Sequence, residues 1–347
     1  MSNIDGPPVS VIMLNRNGIR ILGPDLKKFI KSVLDSDYSR LELIFVDNGS
    51  DDGSAQQVKE WFGNDERFSV LAIKENQGFA EGNNQGMNKA SKIAKYIVLL
   101  NNDIIVERNW LKEMIGVMEQ DSKIAASQPK IIKMGTSNVI DSTGGMLDRM
   151  ARAYDRGSGE TDEGQYDDQT DIFYAKGAAI LMRRSCLNEV GLLDPDHFIY
   201  YEETDLCWRF HLAGYDVKLV PSAKVYHKGS AYFGTSVDPF MLYARRRHQM
   251  KMMLKNYSIM NLTKYGSLFK ARAIGYFLIL LVKGRYKHAA ALLRAYGWNT
   301  RNIVKTLRMR KKVQSSIRRV SDDRILERMM TISEYNSIKK RYKLPDN

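Results

Sequence analysis

Tyr96–Asp103 reads YIVLLNND: five apolar residues in succession, then two amides and a carboxylate. A short run without polar alternation suits a strand buried on both faces. Its abrupt polar end predicts a strand tip in a ligand-facing crevice. The same composition recurs towards the N-terminus. Val9–Leu14 is apolar apart from Ser10 and ends in Asn15-Arg16-Asn17-Gly18. Leu41–Val46 ends in Asp47-Asn48-Gly49-Ser50, and Ser69–Ile73 ends near Asn76. Between these runs, Leu26, Phe29, Ile30, Val33 and Leu34 fall three and four apart, one helical face. Ala55–Phe62 and Phe79–Ile93 read as further helices. Strand–helix alternation predicts an open parallel α/β sheet, with ligands at the carboxyl ends of its strands.

Further along, Trp110–Met118 reads as a helix, and Gly144–Asp171, rich in Gly and Asp, as a mobile loop. Phe173–Met182 returns to strand character and Thr204–Ala213 to a helix ended by Gly214. Val217–Val220 reads as a last strand, with His227 in the polar loop after it.

The charge divides the chain. Its formal net charge is +13, yet Pro239–Ser321 holds 20 Lys or Arg and no Asp or Glu. The remainder carries 33 basic against 40 acidic residues, a net of −7. An acidic body joined to a basic tail predicts an anionic partner, a membrane surface or nucleic acid. Within the tail, Ala273–Val282 is apolar and flanked by Arg272 and Lys283. Those ten residues fall short of the roughly 20 that cross a bilayer, leaving a core helix or an interfacial one. Two cysteines, Cys186 and Cys207, give neither a disulfide framework nor metal-ligand spacing, which suits a reducing intracellular location. The polar Met1–Pro8 does not read as a signal peptide.

Three clusters could carry chemistry. Asp103, with Asn101 and Asn102, offers hard oxygen ligands for Mg²⁺ or Mn²⁺ at a strand tip; the same residues also make ordinary turns. Asp47 stands where sheets of this class place an acid near a nucleoside. Glu202, Glu203 and Asp205 crowd three carboxylates into four residues, which raises at least one pKa and suits a general base. Acids at a helix start also need no function.

Taken in order, SVIMLNRNG, FVDNGSDDGS, NQGFAEGNNQG, YIVLLNND, GAAILMRR, FIYYEETDLCWR and VYH resemble the inverting family-2 glycosyltransferases, in particular their rhamnosyltransferase-like branch. The resemblance covers about Val9 to Lys255. It implies a GT-A fold, an open mixed sheet flanked by helices, over residues 1–238, followed by a basic helical region over residues 239–347. It implies a nucleotide-diphosphate sugar donor, a divalent metal and a glycan or polyprenyl-linked acceptor. Work on a polyprenyl acceptor would place the chain peripherally on the cytoplasmic face of the membrane. Carried over by position, Asn15, Asn17, Asp47, Asn76, Gly78, Asn84, Asn101, Asn102, Gly177 and Ala178 would line the donor site. Asp103 and His227 would ligate the metal, and Glu203 would be the base, with Glu202 and Asp205 as alternatives. Asn101 replaces the first acid of the family's DxD motif, and Glu203 a more usual Asp. The rivals are transfer of another sugar from a uridine donor, a non-catalytic nucleotide-sugar scaffold, and a nucleic-acid module built on the basic tail.

Overall fold

The computed structural model describes residues 6–229 and 238–341. Met1–Asp5, part of the polar Met1–Pro8 segment, lies outside the described residues, as do the last six positions of the basic tail.

The first half is strand–helix alternation: β1 (Val9–Asn15), α1 (Gly18–Leu22), α2 (Asp25–Leu34), β2 (Leu41–Asn48), α3 (Ser54–Phe62), β3 (Phe68–Ile73), α4 (Gly78–Lys89) and β4 (Tyr96–Asn101). Then come β5 (Ile104–Val106), α5 (Trp110–Gln120), β6 (Ile124–Lys133), β7 (Ile140–Ser142), β8 (Gly145–Leu147) and β9 (Ala153–Asp155). The sheet-bearing half closes with β10 (Ala179–Arg183), α6 (Arg184–Val190), α7 (Glu202–Leu212) and β11 (Asp216–His227). Helices follow: α8 (Pro239–Asn256), α9 (Ile259–Val282), α10 (Tyr286–Arg301), α11 (Ile303–Lys312), a π-helical turn at Val313–Ile317, α12 (Asp322–Glu327) and α13 (Ile332–Arg341).

Among the described residues nine strands form one sheet in the order β3-β2-β1-β4-β10-β6-β11-β5, with β7 on β6. Strands β1 to β4 pair in parallel, as their pattern predicts. Beyond them the sheet is mixed, because β10 runs antiparallel to both β4 and β6. Successive residues feed opposite faces, as strand geometry demands. Val11, Met13, Leu43, Phe45, Val98 and Leu100 pack with α2 and α5, while Ile12, Ile44, Val46, Ile97 and Leu99 pack with α4 and α7. Register aligns Asn15 with Asp47, and Leu14 with Asn101, so the polar tips come level at one edge.

Three expectations need correction. Gly144–Asp171 is not a free loop: β8 and β9 pair, Asp148 and Arg152 form a buried ion pair, and Lys130 bonds Asp162. Its Gly and Asp serve tight turns within a packed insertion. The last strand runs from Asp216 to His227, with a register shift between Val220 and Lys224 where Pro221 interrupts it. His227 is therefore a strand residue, held on both sides, rather than part of a loop. Finally, Ala273–Val282 is only the end of α9, which has 24 residues and is about 36 Å long at helical rise. Among the described residues α9 is the one helix long and apolar enough to cross a membrane by length and composition.

The basic helices are not a detached tail. Met252, Met253, Tyr257, Tyr265, Phe269, Val313 and Ile317 join the core cluster that holds Trp208 and Phe210 of α7.

Candidate active site

A cleft of about 830 Å³ opens at the strand tips. Its walls include Asn15, Arg16, Asn48, Asn76, Gly78 and Asn101–Asp103 from the parallel half. Asp141, Lys176–Ala178, Phe198–Tyr200, Glu202, Glu203 and His227 line the other side, and Phe240 and Arg245 of α8 complete it.

Register explains the meeting of Asp103 and His227. The chain leaves β4 at Asn101, turns through Asn102-Asp103 and enters β5, whose Ile104 pairs with His227 of β11. His227 Nε2 consequently stands 3.3 Å from Asp103 Oδ1, though 124 positions separate them in sequence. Its other ring nitrogen, Nδ1, is 2.8 Å from Asp141 Oδ2. Lys176 Nζ donates to the same Asp141 oxygen at 2.9 Å and lies 3.2 Å from Asp155. Burial alone would hold the imidazole pKa down, but Asp103 and Asp141 override it and bring it up to about 9. The spot thus favours positive charge, the electrostatic demand a divalent cation meets.

The donor set fits such a cation. Asp103 Oδ1 is buried and makes no well-formed hydrogen bond, with the His227 ring nitrogen 3.3 Å away, so it keeps acceptor capacity of the kind a metal satisfies. Nε2 of His227 faces it while Nδ1 is engaged, the outer-shell pattern that fixes a ligating histidine. Among the described residues no group of three or more His, Cys, Asp or Glu side chains forms a protein-only cage. The remaining positions would fall to oxygens of a bound ligand and to water, as is usual for Mg²⁺-type sites.

The three crowded carboxylates separate sharply. Tyr200 and Tyr201 both take left-handed backbone, φ 72° and 71°, a conformation costing a non-glycine residue about 1–3 kcal/mol. That double turn starts α7 with Glu202 and Glu203 at the cleft. Glu202 is buried, and one of its oxygens lacks a hydrogen-bond partner. Burial, then the neighbouring Glu203, push its pKa well up. Glu203 is partly open to the cleft, and burial raises it to about 7 against the backbone amides of Glu203 and Gly177. A side chain at Gly177 would stand 3.5 Å from the Glu203 carboxyl carbon and 3.2 Å from the Phe79 ring. Glycine therefore keeps this wall open.

Residues 10–191 match the family model described as glycosyl transferase family 2. This chain belongs to glycosyl transferase family 2. Its sheet and helices are those of a GT-A fold. A poly-beta-1,6-N-acetyl-D-glucosamine synthase of Staphylococcus aureus (strain COL) is 27% identical over 200 residues, covering 56% of this chain and 44% of the relative. The uncharacterized protein y4gI of Sinorhizobium fredii is 24% identical over 245 residues, covering 67% and 26%. The chain thus spans less than half the length of these curated relatives. Among solved structures, GalNAc-T7 with UDP, GalNAc and Mn²⁺ matches with TM-score 0.60 and 17% identity, covering 77% of this chain and 50% of that one. The mannosyltransferase PcManGT of Pyrobaculum calidifontis, in complex with GDP-Man and Mn²⁺, matches with TM-score 0.53 and 14% identity, covering 90% and 86%. At these identities the likeness is one of fold.

Within this family-2 chain several donor-site expectations need revision. Asp205 faces away from the cleft, because Arg209, Lys255 and Asn256 take up its carboxylate at 3.0, 2.8 and 3.0 Å. Burial opposes its ionisation, yet Lys255 and Arg209 bring it down to about 2. A carboxylate so held is a structural anion, not a base. Asn84 is consumed too: its amide bonds both the carbonyl and the N–H of Leu193, at 2.9 and 3.1 Å, tying α4 to the chain leading to Phe198. Asp47 and Asn17 lie beneath the cleft lining. Asp47 accepts from Asn15 Nδ2 at 2.9 Å and Asn15 accepts from Asn102 at 2.7 Å, while Asn17 accepts from the Asp51 amide at 3.0 Å. Asn15 itself reaches the cleft lining, though it is almost fully buried in this network.

Asn48, Asp141, Lys176, Phe198, Tyr200 and Arg245 also line the cleft, and the sequence reading missed them. Asn48 adjoins Asp47 in a quoted motif, so the signal was present; it bonds Asn76 and the Gly78 carbonyl, both at 3.0 Å. Gly78 is needed there, since at φ 80° an added Cβ would come within 2.6 Å of the Phe198 carbonyl oxygen. Asp141 had no signal, because β7 meets β11 only through β6. Asp141→Asn, by loosening His227, is expected to weaken Mn²⁺ affinity about 10–100-fold. Titration of Mn²⁺ with nucleoside diphosphate checks this, and unchanged affinity would remove Asp141 from the site.

Proposed function

We propose that this chain is a metal-dependent, inverting hexosyltransferase that moves a sugar from a nucleotide-diphosphate donor to a glycan or polyprenyl-linked acceptor in cell-surface polysaccharide synthesis. One observation carries the reading: Asp103, His227 and Glu203, far apart in the chain, line a single cleft. The named activity of the Staphylococcus aureus relative and the nucleotides and Mn²⁺ in the structural neighbours support it. The rhamnosyltransferase-like resemblance of YIVLLNND, with Asn101 in place of an acid, makes rhamnose the first sugar to test.

In this reading Asn15, Asn48, Asn76, Gly78, Asn101 and Asn102 present the amide and backbone groups that bind the donor. Asp103 and His227 would hold Mg²⁺ or Mn²⁺, which when bound neutralises charge on the diphosphate leaving group. Glu203 takes the proton from the acceptor hydroxyl as that oxygen attacks the anomeric carbon from the face opposite the diphosphate. Glu202, its carboxyl pushed towards the protonated form by burial and by Glu203, limits the negative charge beside Glu203. Gly177 and Ala178 leave room for donor sugar and acceptor to approach. Residues 1–238 carry the donor chemistry, and residues 239–347 the acceptor and membrane side, at the cytoplasmic face of the membrane. Helix α8 serves both, through Phe240 and Arg245.

The test is a panel of nucleotide sugars, each with Mn²⁺, with Mg²⁺ and with chelator, followed by nucleotide release. Metal-dependent turnover of one donor is expected. Binding of a donor without turnover under any condition would favour a scaffold and overturn the proposal.

A further inference from the structure

We infer that α9 lies in the plane of an anionic lipid bilayer, its exposed apolar stripe inserted among the acyl chains and its flanking cations at the headgroups. The inference rests on the membrane part of the reading above, not on the transfer chemistry.

Soluble helices turn their apolar face inwards, and α9 does so only in part. Tyr265, Phe269 and Ala273 are buried against the body, and Leu280 packs in a small cluster with Leu242 of α8 and Leu292 of α10. On the opposite side Ile274, Leu278 and Val282 are 62%, 54% and 89% exposed, and Met260 and Leu268 extend the stripe. At 100° per residue these positions share one face. Lys270 and Arg272 fall at its two edges, both exposed, where long side chains keep their charge in the headgroup layer while their stems cover apolar surface. An apolar face between basic edges is the pattern of an interfacial helix.

Charge selects the occupant. Of the 20 cations between Pro239 and Ser321, the structure withdraws Arg246, Lys251 and Lys255 into the interior; the two lysines pair there with Asp194, Asp196 and Asp205. Arg245, Arg247, Lys305, Arg310, Arg318 and Arg319 are engaged with the body, but others stay exposed, Lys270 and Arg272 at the edges of the stripe among them. Lys283, Arg285 and Lys287 surround the α9–α10 turn, and Lys287, Arg294, Arg301 and Arg308 recur every seven residues along the exposed side of α10 and α11. The absence of any acid in this stretch fits an anionic lipid surface. A second copy of the chain would oppose like charge to like. A spanning arrangement fits poorly, because Tyr265, Phe269 and Leu280 fasten α9 along its length to the protein body. The placement also serves the cleft. Helix α8 lends Phe240 and Arg245 to the cleft wall and Leu242 to the packing with α9 and α10, so a surface-bound α9 holds the opening one helix away from lipid.

Flotation with phosphatidylcholine vesicles and with vesicles enriched in phosphatidylglycerol tests the idea on the full chain. The wild-type protein is expected on anionic vesicles, with part of it resisting high salt. I274D/L278D should partition at least about tenfold more weakly and lose the salt-resistant part. K270E/R272E should weaken binding at low salt by a similar factor. Both variants keep donor hydrolysis, which shows that they fold. A fluorophore at Leu278→Cys, selective because Cys186 and Cys207 are buried, should be quenched more by shallow than by deep nitroxide lipids. Absence of wild-type binding would sink the membrane reading and this inference together. Binding that I274D/L278D leaves intact would sink the inference alone. Stronger deep quenching, or a dimer that I274D/L278D dissociates in light scattering, would overturn it in favour of a spanning helix or a contact between copies.

Discussion

Glu203→Gln is expected to lower sugar transfer by about 10²–10⁴-fold while leaving donor affinity near that of the wild type. The substitution keeps size and hydrogen-bonding reach but removes the ability to accept a proton. With the Glu203 pKa raised to about 7 by burial, the wild-type rate should fall about tenfold per pH unit below that value and level off above it. The sign follows from the role, since a base works in its deprotonated form and acid removes that form. In Glu203→Gln the acidic limb disappears together with the activity. Glu202→Gln supplies the contrast. Burial and then Glu203 push its carboxyl towards the protonated form, which an amide imitates. Near-normal turnover is expected there. Steady-state rates across pH for both variants decide the matter; loss in Glu202→Gln with retention in Glu203→Gln would reverse the assignment.

Asp103→Asn should cost as much or more. Asn101 already carries no charge, so this substitution removes the last anionic ligand at the tip of β4. Charge stabilisation on a departing diphosphate is worth several kcal/mol, and each 1.36 kcal/mol is a factor of ten, so a loss of about 10³-fold in kcat is expected. Isothermal titration of the intact protein should show Mn²⁺ affinity falling further than in Asp141→Asn, because Asp103 would touch the cation and Asp141 would only orient His227. Folding should persist, since the amide has the shape of the carboxylate and Asp103 Oδ1 makes no well-formed hydrogen bond, only the 3.3 Å approach to His227. Wild-type Mn²⁺ dependence in Asp103→Asn would place the metal elsewhere.

The sequence by itself determined the parallel half of the sheet. Strands β1 to β4 and the buried face of α2 are local patterns, dictated by which neighbours two or four positions away are apolar. It also determined that Asp103 follows directly on β4, that Glu202 and Glu203 open α7, and that the cations gather beyond Pro239.

Only the tertiary structure decided what these residues meet. Whether a carboxylate becomes a base or a structural anion depends on its partners, and Lys255 and Asn256, some 50 positions on, settle that for Asp205 but not for Glu203. The contacts His227–Asp103, His227–Asp141 and Asn84–Leu193 span 124, 86 and 109 positions, set by strand register and helix docking that no local pattern encodes. The basic tail shows the same division. Its composition announced an anionic partner, but only packing distinguished Lys251 and Lys255, spent inside the fold, from Lys270 and Arg272 beside an open apolar face. Spacing along a chain fixes which side chains share an element's face, whereas burial and charge pairing, which set pKa and ligand capacity, arise only where elements meet.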